Sequence, residues 1–551
     1  MAGSASFEDP DREPLLRSDL EAGREKLPLG WRGWRYWLPR SSSGCRDYTA
    51  ITAIPRLVRP HARRVPILIL LGVILFLTGF VSHPKARAST SDFLREQSGK
   101  VMKPFHDMRP GDKAKANEIR VLKGLLQTMY PATHGSPTRD RNWGELDRLI
   151  ECVEWANCTN QEKVVIGVSQ HFRGGEVGGV GGEDVWARSM LNGIRELNYT
   201  FLFTSGHMDT LLVYQKIPSM VQAVIWEPNE FAHCIARNDT NYAELEAHEA
   251  DADGTWQVGR KACIQSHLYP EGIPYWKSFV LHFWENPVTD LGGQWTLSPE
   301  DYSKITWNGA GNQFIGYSIE DRCLEYEVYD EREHRGLILA KEPKYFTEEN
   351  GFKGILGQAR DSVRPARVGG EEVPFKLVST AGRERDADGT TEELPEGIVS
   401  LGRMPQAEYT KTLARSKMLV GIGNPKLSPS PYWGLCMGVP FINIIEDWRA
   451  DDPDNRQHWR TQQDALRFTP EPYVYHVRHD DLDGLSQAMQ RAATTQIGRF
   501  IPDWMRKEGQ LKRIERLMET DWYAEARKVV EDKYENDPKW QHLAPLHRGD
   551  H

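Results

Sequence analysis

The sequence predicts an α/β protein with two Rossmann-like domains in tandem, which face each other across a cleft. Short apolar segments alternate with amphipathic stretches of helical length, first at 164–169, 201–204 and 221–226 and again between 336 and 444. Parallel strands need long crossover connections, so this alternation indicates two parallel sheets with right-handed crossovers. Ligands of open α/β sheets bind beyond the carboxyl ends of the strands, and the cleft is therefore the expected site.

An uncharged segment of 17 residues, 65–81, predicts a transmembrane helix. At 1.5 Å per helical residue it spans roughly 25 Å, enough for a thin bilayer. Arg63, Arg64 and further arginines precede it directly, whereas only Lys85 and Arg87 follow closely. The positive-inside rule then places the N-terminus in the cytoplasm and the body of the chain in a lumen. A buried core helix is the alternative, which the uninterrupted apolar run disfavours.

These patterns divide the chain into segments of different character. The segments are a cytoplasmic tail without predicted structure (1–64), a transmembrane signal-anchor helix (65–81), a luminal stem (82–115), an N-terminal Rossmann-like domain (116–335), a C-terminal Rossmann-like domain (336–500), a C-terminal helix packing across both domains (501–530) and a tail (531–551). In the first of them, Leu15 and Leu16 follow acidic residues in the form of a dileucine sorting signal that an adaptor could bind.

Charge and cysteine usage narrow the class of protein. The formal net charge of −9 is spread along the chain and leaves no basic face, which excludes nucleic acid as a partner. Six of the seven cysteines follow the predicted membrane segment, as in a protein of an oxidising compartment. Cys152 and Cys158 flank a short loop and are the predicted disulfide, while Cys323 and Cys436 are either paired or free buried thiols. No CxxC pair occurs, so a zinc site has no support from the sequence.

Three glycosylation triplets agree with the predicted luminal body. They begin at Asn157, Asn198 and Asn238. Each triplet alone is weak, because such triplets also arise by chance in a long chain.

A glycine-rich segment, 174–184, follows the first predicted strand and ends in Glu183 and Asp184 at the start of a helix. Glycines let the backbone approach a ligand closely, and a helix N-terminus favours an anion or sugar hydroxyls. Glu183 therefore faces the expected cleft as a candidate functional carboxylate. The alternative is a first-turn glutamate that only complements the helix dipole.

A second candidate loop, 421–440, joins a predicted strand to the next through a Pro-rich turn and a short helix. Its backbone N–H groups could hold a nucleotide diphosphate. A generic strand–helix–strand turn would look similar, so the loop indicates a site without naming its ligand.

Several strings resemble glycosyltransferase family 18, the family of N-acetylglucosaminyltransferase V. The strings are Gly178-Gly-Val-Gly-Gly-Glu183, similar to G-G-x-x-G-E; Trp295-Thr-Leu-Ser-Pro299, similar to W-N-L-N-P; Asn312-Gln-Phe-Ile-Gly-Tyr-Ser-Ile-Glu320, similar to N-x-F-L-G-F-x-x-E; 420–443, similar to V-G-L-G…P-x-E-A-I-A-N-G-x-x-F-L-N; and 501–516, similar to a C-terminal M-P-Y-E-F…Q-R-I-N helix. They occur in the family's order over about residues 163–523, which is more specific than any one string.

The resemblance implies a GT-B fold in the Golgi membrane, type II, with the catalytic domain in the lumen. It implies inverting transfer of N-acetylglucosamine from UDP-GlcNAc to the 6-hydroxyl of an α1,6-linked mannose on N-glycan-bearing glycoproteins, with no metal and no other cofactor. Glu183 inherits the role of catalytic base. The residues assigned to the acceptor are Gly182 and Trp295, and those assigned to the donor are Gly421, Gly423, Lys426, Ser430, Pro431, Trp433 and Arg449.

Two departures from the family pattern bear on substrates. Trp433 stands where the family has a glutamate that holds the nucleotide ribose, and an indole cannot accept a hydrogen bond. The sequence therefore does not determine the identity of the donor sugar. Gly292 stands where the family has a tryptophan, three residues before Trp295, so the acceptor stays open too. Trp295 itself could stack on a sugar or be a core aromatic.

Other classes of protein remain as alternatives. A metal-dependent GT-A transferase would need a D-x-D string after a buried strand, and the available strings lie in polar stretches: Asp251-Ala-Asp253, Asp386-Ala-Asp388 and Asp452-Pro-Asp454. A non-catalytic Golgi protein that binds glycans on the same fold, or a GT-B transferase with another nucleotide-sugar donor, would also account for Trp433.

Overall fold

The computed structural model describes residues 111–130, 136–235, 263–265, 270–305, 311–347, 352, 354–381 and 394–536, all within one compact unit. The predicted cytoplasmic tail, transmembrane segment, sorting signal, most of the stem and Asn238 lie outside these residues. Within the described part of the chain, no helix has the length and apolar character that crossing a membrane requires.

A helical hairpin precedes the first sheet and covers part of it. Helices α1 (Lys113–Met129) and α2 (Pro137–Trp155) form this hairpin. Asp112 starts α1 by accepting a hydrogen bond from the backbone N–H of Lys115 at 2.9 Å. Leu122 and Leu149 are fully buried where the helices pack. Asn142 of α2 ties the hairpin to the sheet, because its amide exchanges two hydrogen bonds with the backbone of Phe203, both at 2.8 Å.

The first sheet follows the hairpin and contains, among the described residues, six parallel strands in the order β2-β1-β3-β4-β5-β6. Its strands and helices are β1 (Val164–Gly167), α3 (Gln170–Glu176), α4 (Gly182–Glu196), β2 (Thr200–Phe203), α5 (His207–Lys216), β3 (Val221–Trp226), α6 (Pro228–Cys234), β4 (Ser278–Leu281), β5 (Thr296–Ser298), α7 (Tyr302–Ile305), β6 (Gln313–Phe314) and α8 (Glu320–Cys323). Every residue of β1, β2, β4 and β5 is buried, as expected where both faces of a sheet are covered.

The second sheet repeats this plan, and its described part has seven strands. The main path is β11-β10-β7-β12-β13-β14, with β15 parallel to β13 and only β14 antiparallel. Its elements are β7 (Glu333–Leu339), α9 (Leu356–Asp361), β10 (Lys376–Ser379), β11 (Ile398–Ser400), α10 (Gln406–Ala414), β12 (Ser416–Gly421), α11 (Ser430–Cys436), β13 (Phe441–Asp447), β14 (Arg460–Thr461), β15 (Val474–Arg478) and α12 (Leu482–Thr494). Between α9 and β10 the chain forms a separate antiparallel hairpin of β8 (Ala366–Val368) and β9 (Glu371–Val373). The prediction of two α/β units in tandem is confirmed.

The chain then returns to the first domain through α13 (Lys507–Glu519) and α14 (Trp522–Asn536). Gln510 of α13 exchanges hydrogen bonds with Ser189 and Gly316 of the first domain, at 2.9 and 3.1 Å. Trp522 packs edge-on against Phe279, with ring centroids 5.0 Å apart. The predicted single helix is therefore two helices, and both contact the N-terminal domain.

Three disulfides connect the six described cysteines. They are Cys152–Cys158, Cys234–Cys263 and Cys323–Cys436. The first is the pair named from the sequence. The last joins α8 of the first domain to α11 of the second, and Arg499 donates to the Cys323 carbonyl beside it at 3.0 Å.

The disulfide between the domains is expected to stabilise the fold more than the short one. It closes a separation of 113 residues, whereas Cys152–Cys158 closes 6. In the chain-entropy model the longer loop adds roughly 2–3 kcal/mol more stability. Replacing Cys323 and Cys436 together by alanine should therefore lower the melting temperature of the full chain more than the same replacement of Cys152 and Cys158. Equal losses in the two double variants would contradict this account.

Candidate active site

A cavity of about 660 Å³ lies between the two sheets and is lined by residues from both domains. In each sheet, successive strands are added first on one side of the starting strand and then on the other. This change of side falls between β1 and β3 in the first sheet and between β7 and β12 in the second. The connection from α3 to α4, which follows β1, and the loops after β7 and β12 line the cavity, through Glu183, Lys341 and Lys426 among others. The cavity thus lies at the topological switch point of each sheet, where α/β proteins bind ligands.

Glu183 lies in the first turn of α4, after the glycine-rich loop, and lines the cavity with Gly182. Gly182 is where the two domains meet closely, since a Cβ atom there would lie 3.6 Å from Pro429 of the second domain. Among the described residues, the Glu183 carboxylate has no hydrogen bond or ion pair with another side chain. It is therefore available to a ligand, as the functional prediction requires.

The neighbouring Asp184 has a structural task instead. A Cβ atom at Gly179 would lie 2.2 Å from Asp184 Oδ2, and one at Gly174 would lie 2.7 Å from Oδ1, so only glycine fits around this carboxylate. Asp184 also bonds His171 Nδ1 at 3.0 Å. Burial alone would lower the pKa of His171, but this hydrogen bond and the charges of Glu227, Glu183 and Asp184 outweigh it and raise the pKa.

The loop after β12 forms the opposite wall and is held by a buried amide. Gln462 Oε1 accepts from the Gly423 backbone N–H at 3.1 Å, and its Nε2 donates to the Pro425 carbonyl at 3.0 Å. A Cβ atom at Gly421 would lie 2.2 Å from the same Oε1. Gly423 has a φ of 104°, which favours glycine. Gly421 and Gly423 therefore shape the loop from behind the cavity wall.

Lys426, Ser430 and Trp433 line the cavity, as the donor assignment predicts. Lys426 is not an isolated cation, because its Nζ pairs with Glu446. Trp433 is only 6% exposed, and its buried Nε1–H has no hydrogen-bond partner among the described residues. A buried donor without a partner costs free energy, and an acceptor atom of a ligand that reached this N–H would remove that cost.

Besides Gly421 and Gly423, three predicted site residues do not line the cavity. Trp295 is fully buried, stacks on Phe279 and donates through Nε1 to the Trp276 carbonyl at 3.0 Å. The prediction that Trp295 stacks on a sugar is wrong, and the alternative of a core aromatic holds. Helix α14 covers this indole with Trp522, and the two ring centroids are 5.3 Å apart. Arg449 is exposed and pairs with Asp451 away from the cavity. Pro431 is buried behind the wall.

A buried polar cluster that the sequence analysis missed fixes one domain against the other. Glu300, after β5, accepts hydrogen bonds from the Tyr432 hydroxyl at 3.0 Å and from Gln463 Nε2 at 3.1 Å. Tyr432 lies in α11, next to the cavity residue Trp433. Complete burial raises the pKa of Glu300 to about 8, and the two hydrogen bonds offset only part of this effect.

Further lining residues also escaped prediction. Aromatic members are Phe283, Trp284, Tyr345 and Tyr409, and cationic members are Lys341 and Arg403. Phe283 and Trp284 follow β4, Lys341 follows β7 and Arg403 follows β11. The position of these four residues just beyond strand ends was a signal available in the sequence.

Comparison with known proteins agrees with the resemblance seen in the sequence. The model of glycosyltransferase family 18 matches residues 282–544. The human alpha-1,6-mannosylglycoprotein 6-beta-N-acetylglucosaminyltransferase B is 20% identical over 237 residues, which are 40% of this chain and 28% of that protein. The human A form is 19% identical over 240 residues, 41% of this chain and 30% of that protein. The resemblance to family 18 is thus confirmed, and these matches support a glycosyltransferase.

The chain spans less than a third of the curated relatives that it matches. Among solved structures, AviGT4, a glycosyltransferase of avilamycin A biosynthesis, gives a TM-score of 0.34 at 11% identity, covering 70% of this chain and 98% of that one. The calicheamicin glycosyltransferase CalG4 gives 0.23 at 12% identity, covering 68% and 98%. The two sheets of the chain define its fold independently of these neighbours.

The Glu300 cluster predicts how stability depends on pH. The pKa of Glu300 is about 8 in the folded protein against an ordinary value of 4.5, so between these values the folded state holds a proton that the unfolded state has lost. Its contribution is fully present below pH 4.5 and is lost as the pH rises through 8. The free energy of unfolding should therefore fall by up to about 1.4 kcal/mol per pH unit from this group.

Chemical denaturation at pH 5, 6, 7 and 8 measures this slope in the wild type and in Glu300→Gln. The glutamine is a neutral mimic of the protonated acid, so the difference in stability between variant and wild type should grow in favour of the variant as the pH rises. A difference that does not change with pH would contradict the assignment.

Proposed function

We propose that this chain is an inverting glycosyltransferase with the GT-B fold, which transfers N-acetylglucosamine from UDP-GlcNAc to the 6-hydroxyl of an α1,6-linked mannose of N-glycans. The observation that carries the proposal is the shared cavity: Glu183 from one domain and Lys426, Ser430 and Trp433 from the other line the same space. The proposal also draws on the family 18 match and on the names of the curated relatives.

Glu183 acts as the general base in this reaction. A sugar hydroxyl is a poor nucleophile, and a carboxylate within hydrogen-bond reach removes its proton as the hydroxyl oxygen attacks the anomeric carbon. The bond from the anomeric carbon to the UDP oxygen breaks, the new bond forms on the opposite face, and the proton goes to Glu183. Inversion at the anomeric carbon gives the β1,6 linkage.

The second domain holds the donor and receives the charge of the leaving group. Ser428 and Ser430 lie at the start of α11, and the backbone N–H of Ser430 already donates to Ser428 Oγ at 3.3 Å. Lys426 brings a positive charge to the cavity but shares it with Glu446. Preorganised hydrogen-bond donors and cations of this kind stabilise the departing UDP. The proposal includes that no metal ion in the cavity takes part.

The setting of the reaction is proposed from the sequence. Residues 65–81 anchor the chain as a type II protein in the Golgi membrane, with the described unit in the lumen and glycoproteins as acceptors. Asn157 and Asn198 are exposed, as N-glycan attachment requires.

Trp433 favours one variation of this function, in which a transferase of the same fold uses a sugar donor other than UDP-GlcNAc. An indole offers a donor where the family has an acceptor, and its Nε1–H is unpaired among the described residues. A nucleotide sugar that presents an acceptor oxygen to Trp433 would satisfy it. If the protein uses no nucleotide sugar at all, the alternative is a glycan-binding protein of the same fold without transferase activity.

Replacing Glu183 by glutamine should abolish most of the turnover. The amide keeps the volume but cannot take up a proton, so kcat should fall between roughly 100-fold and 10,000-fold. The assay follows UDP release and product mass with the full chain, UDP-GlcNAc and mannose-terminated N-glycans.

Glu196→Gln is the matched control for this experiment. Glu196 ends the same helix α4, far along it from Glu183, and pairs with Lys507 instead of lining the cavity. Its activity should stay close to that of the wild type. A Glu183→Gln variant as active as Glu196→Gln would rule out the base.

Replacing Trp433 by phenylalanine should weaken donor binding with little change in kcat. The ring is kept and only the Nε1–H is lost, and one neutral hydrogen bond contributes about 1 kcal/mol, or roughly fivefold in affinity. Initial rates over a range of donor concentrations give KM for the sugar nucleotide. An unchanged KM would mean that the indole N–H does not contact the donor.

A further inference from the structure

A cluster of metal-binding side chains lies at the carboxyl edge of the first sheet, apart from the cavity. His207, Glu230 and His233 each offer one ligand atom, and these atoms all lie within 4.8 Å of one another. None of the three lines the cavity between the domains. The cluster is thus a second candidate site, to which the proposed sugar transfer assigns no role.

Two neighbouring strand–helix junctions bring the three residues together. His207 is the first residue of α5, directly after β2, whereas Glu230 and His233 lie on α6, directly after β3. Residues three apart on a helix share a face, so Glu230 and His233 point to the same side. The disulfide Cys234–Cys263 fixes the end of this helix. Glu230 Oε2 also lies close to the backbone of Gly206, where a Cβ atom would be in ordinary contact with it at 3.5 Å.

The spacing of one pair of ligand atoms suits metal coordination as well as it suits a long hydrogen bond. His207 Nδ1 lies 3.4 Å from Glu230 Oε2. A nitrogen-to-oxygen hydrogen bond is usually near 2.9 Å. Two ligands of one tetrahedral Zn²⁺, each about 2.1 Å from the ion, are about 3.4 Å apart.

The surroundings orient the ligands. Glu230 Oε2 accepts from the His207 backbone N–H at 3.1 Å, which fixes one carboxylate oxygen toward the imidazole. The His233 ring meets the His207 ring edge-on, with centroids 5.9 Å apart, and makes no side-chain hydrogen bond with the described residues. All three side chains are partly exposed, so an ion can enter from solvent.

The electrostatic balance also suits a cation. The carboxylates of Glu227, Glu230 and Asp209 all interact electrostatically with the nearby guanidinium of Arg173, so three carboxylates lie around this cation. Arg173 Nη1 donates to the carbonyls of Val168 and Thr204, at 3.1 and 2.7 Å, so its guanidinium is already engaged by backbone acceptors.

We propose that His207, Glu230 and His233 bind one Zn²⁺ ion. Two imidazoles and one carboxylate suit Zn²⁺, whereas Ca²⁺ and Mg²⁺ prefer oxygen ligands alone. Three protein ligands leave a fourth position for water. The ion ties the start of α5 to α6, and thereby stabilises this edge of the sheet. The sequence hides the site, because its histidines come from separate elements and no CxxC pair marks it.

The test measures binding of the metal itself, independent of any sugar transfer. The full chain, purified in mild detergent without a histidine tag and stripped with a chelator, is titrated with Zn²⁺ by calorimetry and with Co²⁺ by visible absorption. We expect one equivalent of either ion, a Co²⁺ spectrum of tetrahedral intensity, and a melting temperature that rises with Zn²⁺.

Two variants and a matched control decide the assignment. His233→Ala removes one ligand, and Glu230→Gln keeps the volume of the side chain, so at least one of them should fold as the wild type does. Both should lose the bound equivalent. His458→Ala is the control, since His458 also lies beside a carboxylate, 3.6 Å from Asp452, without forming a three-ligand group among the described residues. No stoichiometric binding to the wild type, or equal binding to His233→Ala and His458→Ala, would overturn the proposal.

Discussion

The cavity has two walls from two domains, and its shape depends on the buried contact between Glu300 and Tyr432. The carboxyl group comes from the end of β5, and the hydroxyl that donates to it lies in α11, the helix that carries Trp433 into the cavity. Burial makes this contact one between neutral groups, because it raises the pKa of Glu300 to about 8. The disulfide Cys323–Cys436 joins the other end of α11 to the first domain. Helix α11 of the second domain is thus held to the first domain at both of its ends.

Within this frame, adjacent carboxylates take different roles. Asp184 occupies the space that the glycines of the loop leave open and bonds His171, so its charge is used to hold the loop. Glu183, one residue earlier, points into the cavity without a side-chain partner among the described residues. A base must be both positioned and free to accept a proton, and this division meets both needs.

Local sequence rules predicted much of this arrangement, and contacts between distant parts of the chain account for what they missed. Fully apolar segments and glycines after strands depend only on nearby residues, which is why both sheets and the place of Glu183 could be predicted. The fate of Trp295 depends on Trp522, more than two hundred residues later, which covers it. The sequence around Glu300 is likewise that of an ordinary loop carboxylate, and it is the packing of the second domain that buries this side chain. Neither partner can be identified from spacing along the chain.

The most direct test of the account is the structure of the product made by the full chain from UDP-GlcNAc and a mannose-terminated N-glycan. Mass spectrometry gives the added sugar, and NMR gives the anomeric configuration and the position of attachment. The account predicts one N-acetylglucosamine in β linkage to the 6-hydroxyl of the α1,6-linked mannose, with one UDP released per product. An α linkage, attachment at another position, or UDP release without a glycan product would contradict it.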